Sequence, residues 1–409
     1  MSVTPISVDR DSRTFKQAAS FTRLGYESVV VEGQPSGGRA ELPFELRTVE
    51  GPGNGSSALA DPHTASPPPM DSRVRTVVPT SVRERGGALF DGALALRAYV
   101  DLNFSRTAAA LPPGDLYVLH SYLQFPAVER VRRRHGTPFV YDAHDYYPSI
   151  TQGARPEDRV DEWIRRAVEP LCIRRATETM TVSAGVADLY RERYGRRPAI
   201  VRNCHDQRLD AQIETGVRDR VGLSGDDFLI VVVGNAKPGQ GLDVVLDAVA
   251  RLGARAHIAC VGRGYEAEAA NARKHGLDGR VHFFEPVPPT QVTAFIHSAD
   301  LAAVLYHAAD PNYVNSLPNR FFHPLAAGLP ILYPSLPEIR RLADHHGLGV
   351  MVDTRDAASI ASAITDLLEN PAHLEALRGN VARARSVLNW EHEERLLGRL
   401  MSSAIAQGA

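Results

Sequence analysis

The chain reads as an α/β protein of two Rossmann-like, doubly wound domains, and three observations lead there. At 409 residues it exceeds the size at which one hydrophobic core keeps growing, so two domains of roughly 150–200 residues each are expected. Short apolar runs alternate with helical stretches along most of its length, the pattern of βα units that build parallel sheets with helices on both faces. The pattern then restarts at Phe228-Leu229-Ile230-Val231-Val232-Val233, whose continuous apolarity marks a strand buried on both faces.

The first half opens with a strand around Ile6 to Val8, a charged turn from Asp9 to Arg13, a helix from Thr14 to Leu24 that Gly25 stops, and a strand from Ser28 to Val31. From Gly33 to about Asp71, runs such as Gly51-Pro52-Gly53 and Ser66-Pro67-Pro68-Pro69 mark a long irregular insertion, relieved by a strand at Phe44 to Val49. A surface loop and a lid both fit it. Alternation resumes with strand Leu116 to Leu119, helix Gln124 to His135, strand Phe139 to Tyr141, a helix near Glu162 to Arg175, strand Thr179 to Val182, helix Ser183 to Tyr194 and strand Ala199 to Val201. Ser183, followed by Ala184 and Gly185, suits an N-cap.

The polar stretch Asn203 to Ser224 separates the halves. After the strand at Phe228, the turn Gly234 to Gly241 leads into helix Leu242 to Leu252, strand His257 to Val261, helix Glu266 to His275, strand Val281 to Phe284, helix Thr290 to Ser298 and strand Leu301 to Leu305. A polar loop and short helix then run to strand Ile331 to Tyr333, followed by a helix near Ala357 to Leu368. The expected domains are 1–205, joined by a returning helix at 388–409, and 206–387. Ligands of such sheets bind at the carboxyl ends of the strands, so the two domains are expected to face each other across a binding cleft.

Composition narrows the function. A formal net charge of -2 with both signs interspersed gives no basic stripe for a nucleic acid. Cys172, Cys204 and Cys260 are odd in number and widely spaced, which suggests neither a disulfide framework nor a zinc site. The N-terminus lacks an apolar signal core and no apolar run is long enough to span a bilayer, so a cytoplasmic protein without stable membrane insertion is expected. The basic cluster Arg130 to His135 lacks apolar anchors and reads as a solvated helix face.

Several segments in fixed order resemble glycosyltransferase family 4 (group 1), enzymes of the GT-B fold. They are Asp115 to His120, Tyr141-Asp142-Ala143-His144-Asp145, Thr181-Val182-Ser183-Ala184-Gly185, Val201-Arg202-Asn203, the strand and turn at 228–241, Val261-Gly262-Arg263-Gly264, Ala299-Asp300, Leu325 to Pro330 and Asn389-Trp390-Glu391. The resemblance implies a retaining, metal-independent transfer without cofactor, the nucleotide on the C-terminal domain and the acceptor on the N-terminal one. It also implies a departing diphosphate met by helix N-termini and basic side chains, as backbone N–H groups and the helix dipole favour any anion.

Individual residues follow from that resemblance. His120 stands where the family places a histidine beside the transferred sugar. In the turn, Gly234 and Gly241 are kept, but Asn235 and Gln240 replace the usual Arg and Lys against the diphosphate, which leaves Lys237, Arg263 and Arg320 as the candidate cations. Arg320 is preferred, following Ser316-Leu317-Pro318-Asn319 where some relatives carry Ser-Leu-Pro-Asn-Lys. Asn315 and His323 occupy the positions of an acidic pair eight residues apart that grips ribose and sugar. His323 as neutral imidazole still accepts or donates one hydrogen bond, but cannot bridge two hydroxyls as a carboxylate does. On the acceptor side, Arg10 and Arg13 of the charged turn, and His144, Asp145 and Tyr146, are the candidates; for His144 and Asp145 a structural hydrogen bond fits equally well. No metal ligand set is expected.

The function expected is transfer of a hexose-type unit from a nucleoside diphosphate sugar to a small-molecule acceptor, in bacterial specialised, antibiotic-type natural product biosynthesis. A sugar-nucleotide epimerase, a pseudo-glycosyltransferase and a non-catalytic nucleotide-binding protein of the same fold stand as alternatives. A homodimer is left open.

Overall fold

The computed structural model describes the chain except for residues 5–6, 9–10, 34–41, 50–95, 98–99, 101–103, 105, 151–155, 237–240 and 409. The described residues group into two compact units. One comprises Met1–Val182, Val186–Val201 and Glu394–Ala409, the other Ser183–Gly185 and Arg202–Glu393.

The first unit carries a parallel sheet in the order β3-β2-β1-β4-β5-β6-β7. Its strands are β1 (Ser2–Thr4), β2 (Val29–Glu32), β3 (Glu45–Thr48), β4 (Tyr117–Leu119), β5 (Phe139–Asp142), β6 (Glu178–Thr181) and β7 (Ala199–Ile200). The opening strand corrects the sequence reading: it lies at Ser2–Thr4, before Ile6 to Val8. Only Val3 is apolar there, so hydrophobic periodicity passes over it, yet all three residues are buried between β2 and β4. Ile6, Asp9, Arg10 and most of the insertion lie outside the described residues.

Helix α1 (Ser12–Arg23) begins two residues earlier than read because Asp11 caps it, its carboxylate accepting from Thr14 N at 3.0 Å. Arg13 therefore belongs to the first turn of a helix and is buried, which corrects its placement in a charged turn. The remaining helices of this part are α2 (Thr107–Ala110), α3 (Phe125–His135), α4 (Pro156–Arg175) and α5 (Ala184–Tyr194). Gly136, in the left-handed region at φ 76°, ends α3.

The second unit repeats the plan in the order β10-β9-β8-β11-β12-β13, again all parallel. A short helix α6 (Val217–Val221) precedes β8 (Phe228–Val233), every residue of which is buried. There follow α7 (Leu242–Ala250), β9 (Ala256–Val261), α8 (Glu266–Lys274), β10 (Val281–Phe284), α9 (Val292–Ile296) and β11 (Leu301–Ala303). The polar loop resolves into α10 (Pro311–Asn315) and α11 (Asn319–Ala326), and Gly328 at φ 82° turns the chain into β12 (Ile331–Tyr333).

Elements not read from the sequence include α2, α6, α12 (Pro337–His346), β13 (Gly349–Met351) and, beyond α13 (Ala357–Glu369), α14 (Pro371–Ala384). The last helix, α15 (Trp390–Gly408), starts with Trp390 fully buried in the second unit, and its later residues Leu397, Met401 and Ala404 are buried in the first. No helix among the described residues is long and apolar enough to cross a membrane.

In both sheets the first strand is central and the order reverses beside it, between β1 and β4 and between β8 and β11. Such switch points leave a crevice outside the carboxyl ends of the two strands, where ligands of doubly wound sheets bind. The polar residues discussed next cluster at these two places.

Candidate functional site

At the first switch point, the chain leaving β1 supplies Asp11, Arg13 and Gln17, while His120 follows β4 and Asp142 ends β5. Asp142 is fully buried, so its charge requires partners. Arg13 provides them as a fork, Nε to Oδ2 at 2.7 Å and Nη2 to Oδ1 at 2.8 Å, with Nη1 donating to the Val201 carbonyl at 2.8 Å. Gln17 Nε2 donates to the same Oδ2 at 2.7 Å, and His120 Nδ1 lies 3.2 Å from it. Burial alone would raise the Asp142 pKa; Arg13 and His120 overcome it and hold the carboxyl far below the usual carboxylate range.

His120 is 1% exposed and its Nε2 is buried without a hydrogen-bond partner among the described residues. Asp11 sits close by, accepting from Thr4 and Thr14 hydroxyls at 3.0 and 2.5 Å. Burial opposes its ionisation, but His120, His144 and the Thr14 bonds keep its pKa below the ordinary value.

The acceptor candidates divide. Arg13, expected as an acceptor contact in a charged turn, is committed to Asp142 and Val201, while Arg10 lies outside the described residues. His144 is partly exposed, its Nε2 3.2 Å from the Tyr147 hydroxyl and 3.9 Å from Asp145. Tyr146 is a core residue, 8% exposed with its ring edge-on to Tyr190 at 5.3 Å, because an aromatic following a buried strand packs inward here.

Sequence reasoning missed Arg165 of α4. It is 4% exposed and makes no hydrogen bond or ion pair among the described residues. One turn to either side stand Asp161 and Glu169. Burial raises the pKa of both carboxyls, that of Glu169 to about 7, despite the Tyr190 and Tyr194 hydroxyls at 2.5 and 2.9 Å from its oxygens. Arg165 opposes the rise at both carboxyls. The sequence signal was the spacing Asp161-Arg165-Glu169 on one helical face, hidden among the charges of α4.

At the second switch point, the turn after β8 holds Gly234 at φ 114°, a conformation that favours glycine, and its carbonyl accepts from the Tyr265 hydroxyl. Arg320, in the first turn of α11, points at this turn: a Cβ placed on Gly234 would lie 3.4 Å from Nη2. Arg320 is partly buried and makes no hydrogen bond or ion pair among the described residues. Burial lowers its pKa, with Tyr265 and Tyr306 nearby opposing the shift. Beyond β11, His307 Nδ1 is buried without a hydrogen-bond partner among the described residues, and His307 packs against Gly241, at φ 61° before α7. Tyr306 and His307 were also missed; their position just past a strand end at the switch point was the available signal.

The other donor candidates are less alike. Asn235 Oδ1 accepts from Arg263 N at 3.0 Å, while the Arg263 side chain is exposed and reaches Glu285 at 3.4 Å, outside the Arg320 cluster. Lys237 and Gln240 lie outside the described residues. Asn315 ends α10, donating to Pro311 O at 2.8 Å, and its carbonyl accepts from Ser183 Oγ at 2.6 Å. Leu317 is buried in the core, Ser316 faces Tyr313 O at 3.5 Å, and Pro318 and Asn319 start α11, with Asn319 Oδ1 accepting from Asn203. His323 lies edge-on to His205 at 5.5 Å, one turn of α11 beyond Arg320.

Comparisons with known proteins agree across most of the chain. The family described as glycosyl transferases group 1 matches residues 227–370, and that described as the glycosyl transferase 4-like domain matches 12–204. The D-inositol 3-phosphate glycosyltransferase of Thermobispora bispora is 24% identical over 320 residues, 73% of each chain. That of Nocardioides sp. is 26% identical over 318 residues, 71% of this chain and 68% of its own. Among solved structures, sucrose-phosphate synthase from Thermosynechococcus elongatus superposes with a TM-score of 0.67 at 16% identity over 100% of both chains. Anabaena HepE in complex with UDP-glucose gives 0.62 at 14% identity over 98% of this chain and 100% of its own.

Proposed function

The chain belongs to glycosyltransferase family 4 (group 1), enzymes that transfer sugars and share its GT-B fold, and from that premise we propose a retaining, metal-independent transfer from a nucleoside diphosphate sugar to a small-molecule acceptor. The observation that carries the donor half is Arg320. A guanidinium with no hydrogen bond or ion pair among the described residues, aimed at a glycine turn at a switch point, suits a diphosphate, and charge-assisted bonds to it stabilise the leaving group as negative charge develops. The Gly234 turn allows close backbone approach, and the α7 N-terminus adds its dipole. UDP is the first nucleotide to test, since similar structures are complexes with UDP and UDP-glucose.

Asn315 and His323 would then meet ribose and sugar hydroxyls as neutral hydrogen-bonding groups, which favours a donor whose hydroxyl pattern differs from the common hexoses. On the acceptor side, Arg165 is a buried cation, and burial raises the pKa of Glu169 one turn away to about 7, which favours an acceptor carrying an anionic group. The names of the D-inositol 3-phosphate relatives support a small phosphorylated polyol as the first acceptor to try. A small acceptor also supports specialised metabolism over bulk glycan synthesis.

The test is nucleotide release from UDP, GDP, TDP and ADP sugars, with and without inositol phosphates and other small acceptors. Release that depends on acceptor, with the anomeric configuration kept in the product, is expected. Binding without such release would favour a non-catalytic protein, and UDP release from UDP-N-acetylglucosamine alone, with sugar inversion, an epimerase.

A further inference from the structure

The first switch point contains a charged pair that the proposed function does not use. Asp142 is an ionised carboxylate, an acceptor only, gripped by Arg13 and Gln17. Its Oδ2 lies 3.2 Å from His120 Nδ1, so in neutral His120 the proton is favoured on Nδ1. The other nitrogen, Nε2, is then a bare acceptor, and it is the atom left buried and unpartnered. Arg13 keeps Asp142 charged, and Gln17 fixes which carboxylate oxygen faces the ring.

We propose that Asp142, clamped by Arg13 and Gln17, is a positioning residue that holds His120 as the Nδ1-protonated tautomer, so that Nε2 accepts a hydrogen bond from a hydroxyl of the transferred sugar. This rests on the reading of His120 as a donor-sugar contact. It selects donors that present a hydroxyl there over deoxy or fluoro analogues at the same carbon, because only a hydroxyl donates to Nε2. Asp11, the other carboxylate near the ring, is occupied by Thr4 and Thr14, which leaves Asp142 to set the tautomer.

The tautomer is measured directly in the unaltered protein by 15N NMR of histidine-labelled chain, the His120 signals being assigned by their loss in His120→Gln. A pyrrole-type Nδ1 and a pyridine-type Nε2 are expected; a protonated Nε2 in the neutral ring, or an even mixture, overturns the proposal. In Asp142→Asn the amide can donate toward the ring, so the proton should move to Nε2 and the transfer rate should fall roughly 10–100-fold. UDP affinity should change by less than about twofold, since the clamp is built from residues of the first unit and Arg320 belongs to the second.

If Asp142→Asn does not fold, Gln17→Leu tests the same clamp, with an expected partial loss of tautomer preference and of rate. A folded Asp142→Asn that keeps both tautomer and rate overturns the role. Near-normal transfer by His120→Ala would remove His120 from the site and overturn the contact, whereas a wild-type chain that binds no nucleotide sugar fails the functional reading while the NMR result still decides the tautomer.

Discussion

Glu169 shows how a buried carboxyl writes its environment into the pH dependence of the molecule. Burial lifts its pKa from 4.5 to about 7, so the folded state holds a proton that the unfolded state releases above pH 4.5. The stability this brings is fully present below 4.5 and is lost as pH rises to about 7, up to about 3 kcal/mol. Glu169→Gln should remove that slope: denaturant titrations from pH 4.5 to 8 should show the variant gaining on the wild type up to pH 7 and then running parallel. A constant difference at all pH values would mean that Glu169 titrates normally in the fold. The same scale explains what the sequence hid. Asp142 and Arg13 are 129 residues apart, and neither periodicity nor spacing links them, although a carboxylate ending a strand buried on both faces demands a cation. Tyr146 shows the reverse, a polar-tipped residue that looked like a ligand contact and packs in the core.

Elements were legible where their pattern was unambiguous. The sequence boundaries of Phe228–Val233, Val281–Phe284 and Ile331–Tyr333 match the observed strands because continuous apolar or aromatic runs between turn residues leave no other reading. The strand Ser2–Thr4 was missed because two of its residues are polar, and α12 because its core face, Ile339, Leu342 and Ala343, is short and set among charges. Elements also shape the turn proposed to meet the phosphates. Gly262 follows β9, and a Cβ on it would sit 2.2 Å from the Gly234 carbonyl oxygen and 2.6 Å from its carbon, a clash with backbone that cannot rotate away. Gly262→Ala should therefore push the Gly234 turn out of place. Nucleotide affinity is expected to fall at least about tenfold while the chain stays folded at 25 °C, the cost of local overpacking being about 1–3 kcal/mol. Unchanged affinity in a folded variant would show that the turn does not contact the nucleotide.

At the scale of the molecule, two doubly wound sheets with the same order of strands each gather polar residues at their switch point, and each does so with a different chemistry. One holds a buried Asp142 already neutralised by Arg13 beside a histidine; the other holds an arginine that makes no hydrogen bond or ion pair among the described residues. The family and the fold were readable from motif order, and the same order preferred Arg320 to Arg263; the two side chains also lie apart, Arg263 toward Glu285 and Arg320 toward the Gly234 turn. The most direct measurement is calorimetric titration of UDP, or whichever nucleoside diphosphate binds tightest, into wild type, Arg320→Ala and Arg263→Ala. A loss of roughly 1.5–3 kcal/mol, about 10- to 150-fold in affinity, is expected for Arg320→Ala and less than about twofold for Arg263→Ala. Equal, small effects from both substitutions would contradict the assignment of the diphosphate to Arg320.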